Sequence, residues 1–164
     1  MKLLPALSGG LVRLERWASR ALVVLFVGLI VVNVAMRYLA GSPLVFAEEL
    51  AAILLVWLTL VAVSISVRDK AQIGVTLMVE QLPRQVRQWI EALVWALIAG
   101  MLALLLKAGI GWVTSPSVGF EQVITTGWQK WPFFVIFPIF CATALVHVLA
   151  HLRDAIVKLS GRLE

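Results

Sequence analysis

Charge is scarce in this chain. Only 14% of its 164 residues are Asp, Glu, Lys or Arg, whereas soluble domains carry roughly a quarter. Cysteine occurs once, as Cys141, so an intramolecular disulfide is excluded and no cysteine-rich metal motif exists. Histidine occurs only as His147 and His151. They share a helical face four residues apart, but no third ligand is near in sequence, and a haem would need histidines on facing helices. Both are read as interfacial side chains. No cofactor and no metal site are expected. Four basic residues precede the first apolar run and no small-x-small cleavage site precedes the Arg37-Tyr38 boundary, so that run is expected to stay in the chain.

What the chain has is apolar length. Hydrophobic residues make up 62% of it and mean hydropathy is +0.99. Uncharged runs cover 21–36, 50–67, 92–106 and 131–152, and about 20 apolar residues cross a bilayer core as a helix. The segment 108–120 contains Gly109, Gly111, Pro116 and Gly119 and reads as a connection. The expected fold is therefore an all-α integral membrane protein. It is a single four-helix membrane domain over 1–164, with spans at about 17–38, 46–67, 87–113 and 131–153 and interfacial amphipathic segments.

A pI near 10 would suggest nucleic acid in a soluble chain. Here the basic residues fall eleven against three on alternate sides of the expected spans, which places both termini in the cytoplasm by the positive-inside rule and removes the need for a nucleic-acid partner. Residues 1–16 hold a Ser8-Gly9-Gly10 turn, then Leu11 and Leu14, followed at helical spacing by Trp17, beside Arg13 and Arg16, and are expected to lie along the interface as an amphipathic lead-in. A second interfacial segment is expected around Ile73, Val75, Leu77 and Met78, ended at Leu82-Pro83. Ser42 is the expected cap of the second helix, with Pro43 at its first position.

Polar groups at membrane depth are few: Asn33, Thr59, Ser64, Ser66, Thr143 and His147, with no charge central to any span. A pump or ion-coupled carrier needs more, since each sodium takes several oxygen ligands. Asn33, Thr59 and His147 are each expected to tolerate an apolar replacement with sodium dependence and substrate half-saturation unchanged, any loss of rate arising only through assembly. Glu48 and Glu49 point about 100° apart on a helix, so they do not form a catalytic carboxylate pair. A pairing of either with Arg37 is expected to pin the first hairpin. Ala92, Ala96, Ala99 with Gly100, and Ala103 give the third span a face of small residues suited to close helix approach. Pro138 is expected to kink the fourth. Trp17, Trp89, Trp112, Trp128 and Trp131 lie near interfaces, while Trp57 and Trp95 lie mid-span.

The string Arg37-Tyr38, Ser42-Pro43-Leu44, Glu48-Glu49-Leu50 and Trp57 resembles the small membrane subunit, the DctQ-like or Q subunit, of tripartite ATP-independent periplasmic (TRAP) transporters. The likeness continues through Arg68, Leu82-Pro83, Trp131, Phe134 and Pro138. Gln72, Thr76 and Gln129-Lys130 depart from the family pattern. The resemblance implies a non-enzymatic scaffold subunit in a bacterial or archaeal cytoplasmic membrane. Its partners would be a large DctM-like membrane subunit, a periplasmic substrate-binding protein and membrane lipids. Sodium coupling and organic-acid transport would belong to the large subunit. Arg37, Tyr38, Ser42, Pro43, Glu48, Glu49, Trp57, Arg68, Ala96, Gly100, Trp131 and Pro138 are the structural or interface candidates. A small autonomous exporter would depend on a membrane-embedded carboxylate, and a redox anchor on histidines; these are the alternative readings.

Overall fold

A computed structural model describes residues 3–69 and 83–160. The expected segment around Ile73, Val75, Leu77 and Met78, together with Gln72 and Thr76, lies outside the described residues. Among the described residues the chain forms α1 (Leu3–Leu39), α2 (Val45–Arg68), α3 (Arg84–Val113), α4 (Pro116–Phe120), α5 (Trp131–Phe134) and α6 (Ile136–Ser160). Four stretches are long and apolar enough to cross a membrane: Ala6–Leu39, Val45–Arg68, Gln85–Val113 and Trp131–Ser160.

Helix α6 occupies the centre: it packs against α1, α2 and α3, while α1 and α2 pair as a hairpin. The sequence of α6 explains this. Cys141, Ala144, Val148, His151 and Ala155 are buried at alternating three- and four-residue spacing, and His147 and Ala150 extend burial around the helix. Three of these side chains are alanines, so neighbouring backbones come close, which is how helices associate where lipid supplies no hydrophobic drive. Opposite α6, the buried face of α3 repeats as Trp95, Ala99 and Leu102. Farther along, a Cβ at Gly109 would lie 2.7 Å from the Phe137 ring. Glycine is needed there for the aromatic ring to rest on the α3 backbone.

Two expectations about helix ends are corrected. The lead-in is not a separate interfacial element, because α1 runs unbroken through Gly9 and Gly10. The low helix propensity of glycine costs only about 1 kcal/mol per residue, and the buried contacts of Ser8 and Glu15 described below offset it. Nor does Ser42 cap α2. That helix starts at Val45 with Leu44 at the cap and no capping side chain. The Ser42 amide instead bonds the Met36 carbonyl at 3.2 Å, aided by Gly41 at φ 64. The Leu44 amide donates to the Asn33 side-chain oxygen of α1 at 2.8 Å, so the open donor is satisfied across the hairpin.

Helix continuity fails at Val135, between α5 and α6. Pro138 has no N–H to offer the Phe134 carbonyl, and the interruption falls in that turn. The Trp57 indole donates to the Phe133 carbonyl across the gap at 2.9 Å.

Candidate functional site

The polar side chains inside the bundle converge on one place. Glu15 of α1 accepts from the Ser64 hydroxyl of α2 at 2.7 Å and from the His147 Nε2 of α6 at 3.0 Å. Ser64 also shares a hydrogen bond with Thr143 of α6 at 3.1 Å. The other His147 nitrogen, Nδ1, lies 2.8 Å from the Ser8 hydroxyl. A carboxylate only accepts, so Nε2 carries the hydrogen, while Nδ1 and the Ser8 hydroxyl share the other bond. Three helices are thereby joined by a chain of hydrogen bonds with both ends of the imidazole engaged.

Burial decides what this chain can do chemically. Ser8 and His147 are 0% exposed and Glu15 is 7% exposed. A serine, a histidine and a carboxylate in line also occur in hydrolases, but there the hydroxyl must face a substrate carbonyl and oxyanion donors. Here the hydroxyl is sealed in helix packing, so the trio positions helices. Among the described residues no three of His, Cys, Asp and Glu gather as metal ligands.

This seam adds to the sequence reading in two ways. His147 and His151 are buried in the helix packing. His151 Nε2 donates to the Arg68 carbonyl at 3.1 Å, and its ring stacks 4.7 Å from Trp95. The sequence inventory of polar groups also omitted Glu15, which is buried and bonded among α1, α2 and α6. Its signal was present: Ser8, Glu15 and Leu22 recur every seven residues and all three are buried, a period that keeps residues on one helix face.

The other end of the bundle is held by exposed groups. Arg37 donates to Glu48 at 3.1 Å, between exposed side chains. Glu49 turns elsewhere, accepting the Ile124 amide at 3.1 Å, the Thr125 amide at 3.2 Å and the Thr125 hydroxyl at 3.0 Å. Lys130 lies 3.8 Å from it. Glu49 thus ties the α4–α5 connection to the first turns of α2. Next to this tie a cavity of about 440 Å³ opens, lined by Trp57, Trp112, Phe134 and Phe137, with Glu49 and Lys130 also on its wall.

The family model described as "Tripartite ATP-independent periplasmic transporters, DctQ component" matches residues 12–158. The chain belongs to the DctQ family. It is also 26% identical over 98 residues to the "Sialic acid TRAP transporter permease protein SiaT" of Haemophilus influenzae (strain 86-028NP). That match covers 60% of this chain and 16% of the relative, so the chain spans only a small part of the relative's length. A multi-pass membrane component of a TRAP transporter accounts for the four apolar helices.

Within this DctQ chain, the residues singled out from sequence scatter over several places. Arg37 and Glu48 pair at the loop end of the first hairpin, where Glu49 turns to Ile124 and Thr125. Tyr38, Ser42 and Pro43 beside them are exposed. Trp57 and Pro138 flank the break at Val135, and Trp131 bonds Gln129 at 2.9 Å. Arg68 offers its carbonyl to His151, and its Nε is buried without a partner among the described residues. The small-residue face of α3 divides. Ala99 is buried, whereas Ala96, Gly100 and Ala103 are exposed, and a Cβ at Gly100 would meet nothing within 4 Å.

Proposed function

We propose that this chain is the small scaffold subunit of a sodium-coupled TRAP transporter that imports an organic acid delivered by a periplasmic binding protein. It packs against a large elevator-type membrane subunit, which supplies the substrate and sodium sites. The observation that supports this reading is where the polar groups spend their hydrogen bonds. Glu15, His147, Ser8 and Ser64 satisfy one another, and Thr59 bonds its own helix at the Leu55 carbonyl. Between Leu93 and Leu104 the exposed positions of α3 are all apolar or small, with Leu93, Leu97, Met101 and Leu104 beside Ala96, Gly100 and Ala103. A surface of this kind suits a membrane-embedded partner.

Glu15 bears on the small-exporter alternative, which needs a buried carboxylate. An exchanging carboxylate must reach its cargo, whereas both oxygens of Glu15 are already bonded inside the bundle. Co-purification separates the readings: a large polytopic membrane protein should follow a tagged copy of this chain, and proteoliposome uptake should require that protein and the binding protein. Uptake by this chain alone would overturn the scaffold reading.

The orientation we infer places both termini in the cytoplasm of a bacterial or archaeal cell, from the eleven to three basic asymmetry. A cysteine at Ser117 should label from outside in intact cells, and one at Ser160 only after permeabilisation. Outside labelling at Ser160 would reverse the assignment.

A further inference from the structure

One stripe of α1 packs against no other helix among the described residues. Arg13, Trp17, Arg20, Val24, Val31 and Tyr38 follow one another at spacings of three, four and seven residues, so they share a helix face, and all six are exposed. Trp17 is 69% and Tyr38 79% exposed. They are separated by about 32 Å at the helical rise, close to the roughly 30 Å of a bilayer's hydrocarbon core. Aromatic residues at that separation mark the two membrane surfaces, and the valines between them span the acyl region.

The basic end of the stripe is set up for an anion. The Arg20 guanidinium carbon lies 5.4 Å from the Trp17 ring centroid, which holds that side chain against the helix surface. Arg13 and Arg20 have no acidic partner among the described residues, whereas Arg16, one turn from each of them, is bonded to Asp69 at 2.9 Å. The two unpaired arginines lie about 10 Å apart along the helix, within reach of one headgroup from either side of the indole.

We propose that this stripe faces lipid and that Arg13, Trp17 and Arg20 bind the phosphate of an anionic phospholipid at the membrane surface. Guanidinium groups engage phosphate oxygens through paired N–H donors, and the indole N–H adds a donor at the same depth. An acidic protein surface would satisfy the arginines, but it would not call for aromatic residues spaced at the bilayer thickness. The bound headgroup fixes the axial position of α1, and so the depth at which Ser8 and Glu15 meet α6.

The test is native mass spectrometry of the purified full chain, reconstituted with phosphatidylcholine and phosphatidylglycerol and released into detergent. Arg13→Gln/Arg20→Gln should hold phosphatidylglycerol about thirtyfold more weakly, with phosphatidylcholine unchanged. Arg13→Lys/Arg20→Lys, which keeps the charge, should recover most of that retention. Arg87→Gln should match the parent chain, because Arg87 is already paired with Glu91 at 3.1 Å. Equal phosphatidylglycerol on parent and double glutamine variant would overturn the proposal, as would an equal drop for Arg87→Gln. Loss of a co-purifying membrane protein from the double glutamine variant, with lipid retention intact, would also overturn it and assign the face to a protein partner.

Discussion

The two ends of the bundle use the same kinds of side chain in opposite circumstances. At one end Glu15, His147, Ser8 and Ser64 are buried among α1, α2 and α6. At the other, Arg37 and Glu48 pair in the open and Glu49 reaches an exposed connection. Exposed ion pairs are worth about 0–1 kcal/mol, while breaking a buried one leaves an uncompensated group that costs about 3–5 kcal/mol. The contrast teaches that the buried end fixes helix register, and that the outer end tunes which loop lies where.

The largest expected effect is therefore His147→Ala. It strands the Glu15 carboxylate among three helices and should cost about 3 kcal/mol or more, read as a drop in thermal melting of the purified chain. Replacing both partners, Glu15→Leu with His147→Leu, should recover much of the loss, because an apolar pair has no unmet hydrogen bonds. A loss for His147→Ala no greater than that of an outer-end substitution would break the comparison.

Next comes a contrast between two glycines of α3. Gly109→Ala places a Cβ 2.7 Å from the Phe137 ring and should cost about 1–3 kcal/mol through overpacking. Gly100→Leu meets open space, so melting of the isolated chain should shift by less than about 0.5 kcal/mol. Recovery of the large subunit in co-purification should nevertheless fall. Unchanged recovery would mean that this face of α3 looks onto lipid.

Of similar size is Asn33→Leu, which removes the acceptor for the Leu44 amide and should cost about 1–3 kcal/mol for the orphaned donor. Thr59→Val is the companion control: its hydroxyl bonds only the Leu55 carbonyl of its own helix, so melting should stay within about 0.5 kcal/mol. Equal effects would show that the hairpin does not depend on Asn33.

Much of this architecture is legible without coordinates because membrane crossing imposes it. The lengths of the uncharged runs and the aromatic residues at their ends point to four helices. Interior partners are less legible. Glu15 stands among Arg13, Arg16 and Arg20, and local composition reads that stretch as interfacial. Only the tertiary approach of Ser64 and His147, 49 and 132 residues away, makes it interior. Ser42 shows the converse. Its spacing suits a cap, but the hairpin satisfies the same donor through Asn33, a choice that depends on how closely α1 and α2 pack.

The smallest expected effect is at the outer hairpin. Arg37→Glu puts a third acid beside Glu48 and Glu49, yet all of these groups see water except where Glu49 is occupied by Ile124, Thr125 and Lys130. Melting should fall by no more than about 1 kcal/mol. Glu48→Arg in the same chain should restore it, since Arg37 donates to Glu48. Glu49→Arg should not, because that carboxylate serves the α4–α5 connection and its loss frees the Ile124 and Thr125 amides. Rescue by Glu49→Arg and not by Glu48→Arg would show that the pairing at this mouth differs from the one described. A loss as large as that of His147→Ala would erase the distinction between the two ends.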